Sequence, residues 1–137
     1  MRFRIVIAAV LAAGLLSGGA GLAPVSPAAA QEASLFISVL DDLPLMPGFV
    51  EDTEGATVFD TAQGRIVEAF ATGAQTEDRV LSFYDETLPQ LGWRRVSSGV
   101  FRREGETLSL EFTLRPGLRP GSAPVLTVGF RLIPSGG

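Results

Sequence analysis

The sequence predicts an α+β domain: an antiparallel sheet of about five strands, in the order ββαβββ, with one helix packed across it. Three observations carry that reading. Leu108, Leu110, Phe112 and Leu114 alternate with Ser109, Glu111 and Thr113, the period of two that belongs to a half-buried strand. Val80, Leu81, Tyr84, Leu88 and Leu91 recur at spacings of three and four, a single apolar stripe on a helix edged by Phe83. Polar clusters bearing glycine separate the other apolar runs at hairpin distances.

In chain order, Ala33 to Leu40 is a short apolar stretch, either a helical turn or a first extended segment. Asp41-Asp42-Leu43-Pro44-Leu45-Met46-Pro47-Gly48 follows, and its two prolines and glycine argue against a regular element. Leu43, Leu45, Met46 and Phe49 are too apolar for a solvated loop. Residues 41–50 are therefore expected to be an irregular segment that covers a sheet edge or face; the alternative, an outward docking segment for a partner, would cost a domain this small too much apolar area. Ile66 and Phe70, on the sheet face away from the helix, are the surface expected beneath it.

Glu51 to Gly55 reads as a polar turn. Ala56 to Asp60 and Arg65 to Thr72 form a hairpin, with Gly64 where a positive φ is needed. Val67, Ala69 and Ala71 share one face of its second strand, small enough to lie beneath a helix. Thr76 caps that helix, and Glu77 and Asp78 suit the positive end of its dipole. Pro89 removes a hydrogen bond from the last turn. Gly92 then provides a left-handed stop that sets Trp93 back against Leu88. Arg94 to Arg103 is expected as one strand, kinked or bulged at Ser97-Ser98-Gly99. Glu104-Gly105-Glu106 turns it into Thr107 to Leu114, Arg115 to Pro124 is a loop, and Val125 to Ile133 closes the sheet.

The chain has 137 residues, of which the first 30 read as an export signal. Arg2 and Arg4 precede an apolar run from Ile5 to Leu16, and Ala28-Ala29-Ala30 places small residues for cleavage after Ala30. Residues 31–137 then form a single domain, expected in the periplasm or secreted. An uncleaved anchor is the competing reading, since residues 5–31 carry no charge and a span needs about 20 apolar residues; glycine and proline in the second half argue against it. With no cysteine in the chain, a lipid-anchored signal is excluded.

Composition removes much familiar chemistry. There is no cysteine, histidine, lysine or asparagine, and all 11 cationic side chains are arginine. Thiolate metal sites, histidine bases and Schiff-base lysines are thereby excluded. The net charge is −4, and loss of Arg2 and Arg4 leaves 9 arginines against 15 carboxylates, or −6. Such a chain repels phosphate backbones, so nucleic acid is not an expected partner. Arg94-Arg95, Arg102-Arg103 and the pair Arg115 and Arg119 are the local basic groups. Neighbours on a strand point to opposite faces, so these make no patch by themselves.

Asp41-Asp42, Glu51-Asp52-Glu54 and Glu77-Asp78 are the paired carboxylates available for acid–base work, but each sits where solvation or a helix dipole already accounts for it. Glu51 to Gly55 lacks the alternating spacing of a calcium loop. Ser97 and Ser98 have no histidine or lysine base to activate them. Trp93 and Tyr84 fit a core better than a stacking platform. Arg65 fits an ion pair with Asp60 or Glu68 better than a bound anion.

A helix carrying Phe83-Tyr84, then Leu88-Pro89 and Leu91-Gly92-Trp93, then an antiparallel meander, resembles small exported domains of unknown function in Gram-negative bacteria. The Asp42 to Gly48 stretch, Phe59-Asp60 and Gly64-Arg65-Ile66 are similar to the same group, so the resemblance spans most of residues 41–134. It implies compartment and architecture and carries over no functional residue. The expectation is an exported periplasmic domain acting as a non-catalytic binding or accessory module. No catalytic, cofactor-binding or metal-binding residue is assigned. A protein in the cell envelope is the possible partner, and the membrane is met only through residues 1–30 if uncleaved. The alternatives are an inner-membrane-anchored subunit of an envelope complex and a carboxylate-dependent enzyme.

Overall fold

The computed structural model describes residues 35–136, so the expected export signal and its cleavage point lie outside the described residues. The elements are β1 (Phe36–Ile37), β2 (Leu40–Pro44), β3 (Phe49–Thr61), β4 (Gly64–Gly73), α1 (Glu77–Thr87), a 3-10 turn (Leu88–Leu91), β5 (Arg94–Ser97), β6 (Val100–Arg103), β7 (Glu106–Arg115) and β8 (Val125–Pro134). The architecture is α+β. One antiparallel sheet has the order β3-β4-β8-β7-β6-β5, and β1 and β2 form a separate ribbon.

The alternating run of β7 pairs with β8 along its whole length, from Glu106 opposite Pro134 to Arg115 opposite Val125. That register puts Leu108, Leu110, Leu126, Val128, Phe130 and Leu132 on one face, all buried. Val67, Ala69 and Ala71 of β4 join them without any exposed surface. Val80 and Tyr84 of α1 and Leu88 just after it are buried in the same core, with Tyr84 edge-on to Phe130 of β8. Thr76 Oγ1 accepts the Arg79 N–H at 3.3 Å to open the helix. Leu91 is 37% exposed, so the buried stripe ends one turn earlier than its spacing suggests.

Three expectations are corrected. Residues 94–103 are not one strand but the hairpin β5–β6, because Gly99 at φ 67° reverses the chain. The main sheet therefore has six strands rather than five. Glu51 to Gly55 is not a turn but an irregularity within β3, where the register shifts between Asp52 and Thr57 and Asp52 accepts the Gly55 N–H at 3.1 Å.

The third correction concerns residues 41–50. Leu40–Pro44 is a regular strand, paired with Phe36–Ile37, and Pro44 sits at its end, where a missing donor disturbs no ladder. The segment covers the helix side of the sheet, not Ile66 and Phe70. Length explains this. The 11 residues of α1 span about 16 Å, whereas the ten-residue strands below it run to about 33 Å. The uncovered half of that face takes Ile37, Leu40, Leu43, Leu45 and Phe49, all buried, with Met46 packed against them. On the opposite face the ring of Phe70 instead lies across Gly129, where an added Cβ would meet it at 3.3 Å.

Replacing Leu45 and Met46 together by serine is expected to lower stability by about 2 kcal/mol or more through lost burial. Chemical denaturation reads this directly, and an unchanged midpoint would place both side chains outside the core.

Tyr84 joins the two covering elements: its hydroxyl donates to the Pro44 carbonyl at 2.9 Å. Burial pushes its phenol far above the ordinary range, against a smaller opposing effect of a backbone hydrogen bond from Met46. The folded protein thus keeps a proton that the unfolded chain releases, so stability is full below about pH 10 and falls as pH rises beyond it. Tyr84 is the sole tyrosine. Its tyrosinate absorbance is expected to appear only together with alkaline unfolding; ionisation near pH 10 in the folded protein would show an accessible phenol.

Candidate functional site

The site is built by two reversals of the chain. The first ends the helical segment. At Gly92, φ 87°, its N–H bonds the Pro89 carbonyl at 3.2 Å and the Trp93 N–H bonds the Leu88 carbonyl at 3.1 Å. This paired pattern is the left-handed stop read from the sequence. It buries Trp93 and starts β5 at Arg94.

The second reversal is the Ser98-Gly99 turn. Gly99 is pinned to the neighbouring strand, its carbonyl accepting the Leu110 N–H at 2.8 Å. The resulting register sets Arg94 opposite Arg102 and Arg95 opposite Phe101. Phe101 is buried on the helix side, where Arg95 Nε meets Asp85 at 3.0 Å. By alternation Arg94 and Arg102 project together from the other face, with Cβ atoms about 5 Å apart. The two Arg-Arg doublets, harmless separately, are folded onto each other.

Arg103 sits beside them and is engaged in structure. Its guanidinium lies over the Trp93 ring at 4.4 Å, donates to the Leu91 carbonyl at 3.0 Å and pairs with Asp42. Arg65 pairs with Glu106 at 3.6 Å, not with Asp60 or Glu68, because Glu68 is taken by Arg131 at 3.7 Å. Arg65, Arg95, Arg103 and Arg131 thus each face a carboxylate. Arg94 and Arg102, like Arg79, Arg115 and Arg119, have no ion pair among the described residues, but they alone of these five stand opposite one another in strand register. They border a cleft of about 400 Å³ whose other walls include Leu91, Gly92, Arg103 and Glu104.

The carboxylates weighed from the sequence lie elsewhere and apart. Glu51 accepts the Ser38 N–H at 3.0 Å and the Ser38 hydroxyl at 2.8 Å, holding the β1–β2 turn. Asp42 serves Arg103, Asp52 serves the backbone of β3, and Asp41, Glu54, Glu77 and Asp78 are exposed. Among the described residues, no three histidine, cysteine, aspartate or glutamate side chains gather as metal ligands would. No helix among them is long and apolar enough to cross a membrane. Tyr84 and Trp93 belong to the core. The facing arginines escaped the sequence reading, although Ser98-Gly99 between two four-residue runs was the signal for a hairpin.

Chemically, two guanidinium forks on one face can hold an oxyanion through several charge-assisted hydrogen bonds. No family model, curated protein or solved structure matches the chain. The fold and the site together define an α+β domain with a cationic corner on an acidic chain.

Like charges directly opposite on paired strands are destabilising. Arg102→Glu, which places a carboxylate across from Arg94, is therefore expected to raise stability by about 0.2–1 kcal/mol. Thermal denaturation at low salt measures it; a lower midpoint would show that Arg102 already has a stabilising role in the isolated domain.

Proposed function

We propose that the protein is an exported periplasmic module that binds an envelope component without catalysis, and that the Arg94–Arg102 corner is its contact surface. The carrying observation is the pair of arginines that face each other in register without an ion pair and border a cleft. Export is supported by the charged start, apolar run and alanine cleavage site of residues 1–30. A contact surface of this kind supports recognition and supplies neither a nucleophile nor a general base, since a guanidinium stays protonated.

Photo-crosslinking in the periplasm tests the reading. A crosslinking residue in place of Glu104, at the rim of the cleft, is expected to trap a discrete envelope component from protein whose mass begins at or near Gln31. Adding Arg94→Glu and Arg102→Glu should abolish the product. The same crosslinker in place of Thr113, exposed at the far end of β7, should not give it. Equal products from both positions, or none sensitive to the arginines, would overturn the proposal.

A further inference from the structure

Resting on that reading of the corner as a binding surface, we infer that its ligand is a phosphate group carried on a small hydroxylated body, clamped between Arg94 and Arg102. The number of forks selects the anion. A carboxylate has two oxygens and a single charge, so between two guanidiniums it leaves one positive charge uncompensated. A phosphate monoester offers three oxygens and nearly two charges at neutral pH, enough for both forks at once. Arg94 and Arg102 are opposite one another in register and both exposed, so each reaches the same anion from its own strand.

The rest of the cleft describes what the phosphate is attached to. About 400 Å³ is within the range of small-molecule sites and far more than a bare phosphate occupies. Leu91, 37% exposed, gives the cleft an apolar wall. Glu104, at the rim, repels further anionic groups and accepts hydrogen bonds from hydroxyls. Glu111 lies on the same face of the next strand, four residues along from Thr107, which stands opposite Arg102. An extended polyanion running along this face would meet Glu104 and Glu111, whereas a compact phosphorylated polyol is offered the arginines for its phosphate and Glu104 for its hydroxyls. Glycerol 3-phosphate and sugar phosphates have this chemistry, whether free or as a terminal monoester carried on a lipid.

Calorimetric titration of the purified protein at fixed ionic strength tests the inference with inorganic phosphate, glycerol 3-phosphate and acetate as probes. Glycerol 3-phosphate is expected to bind more tightly than inorganic phosphate, and both at least tenfold more tightly than acetate. Arg94→Gln and Arg102→Gln should each weaken phosphate binding about tenfold, the loss of charge-assisted hydrogen bonds. Both side chains are exposed, and circular dichroism checks that the variants fold. Co-sedimentation with phosphatidic acid but not phosphatidylglycerol vesicles would support a lipid-borne phosphate monoester as source; binding of free glycerol 3-phosphate alone would support the soluble one. Acetate binding as tightly as phosphate, or phosphate binding indifferent to both variants, would overturn the phosphate assignment. So would the absence of binding to every probe and vesicle while the Glu104 crosslink persists, an outcome that leaves a binding module with an acidic protein partner.

Discussion

The stop at Gly92 is the constraint on which the rest of the molecule depends. Its φ of 87° is open to glycine and costly for a side chain with a Cβ, so the helical segment ends at that residue. Everything near the corner follows from the direction in which the chain then leaves. Trp93 drops into the core, 4% exposed, and supplies the ring that Arg103 covers. Arg103 in turn links the 3-10 turn, through the Leu91 carbonyl, to β2, through Asp42. Four residues of edge strand are anchored this way despite burying none of their own side chains.

The helix-side face shows how a short helix and a long sheet are reconciled. α1 covers only part of the surface, and an N-terminal ribbon with buried leucines covers the remainder. Tyr84 ties the two together, packing edge-on against Phe130 at 5.5 Å while its hydroxyl reaches Pro44. At the open end of this face the charges alternate across the strands. Asp60 stands opposite Arg65, Arg65 reaches Glu106, and Glu106 stands opposite Arg103. Such a belt closes the core with groups that remain partly hydrated, which avoids the cost of burying them.

Local signals in the chain reported local structure faithfully. The helix cap at Thr76, the glycine stop, the small face of β4 and the alternation of β7 and β8 all depend on neighbours a few residues away, and all were legible. Where the partner is distant in sequence, the reading failed. The prolines of residues 44–47 disguised a ribbon whose existence depends on how much sheet α1 leaves uncovered. Gly99 was read as a bulge because a turn and a bulge place the same demand on φ, and only pairing with β7 separates them. The candidate site was missed for that reason alone. Arg94 and Arg102 come one from each doublet, and the face they share exists only once the hairpin closes.

Protection of the sheet edge gives a competing account of the arginines, and it covers only half of them. Edge strands avoid pairing with other chains by being short, charged or irregular. β3 uses an internal irregularity together with Glu51, Asp52, Glu54 and Asp60. β5 is four residues long and begins with Arg94-Arg95, which meets the same need. Arg102, however, lies on β6, paired on both sides and no edge at all. Solubility there would be served equally by threonine, as at Thr107 opposite it on β7, and stability better by glutamate, which would pair with Arg94. An arginine at this position adds repulsion that no ion pair among the described residues offsets. Salt reduces that repulsion over a Debye length of about 8 Å, but an anion held between the two forks removes it altogether. The cost of the pair in the free protein becomes part of the attraction when the site is filled.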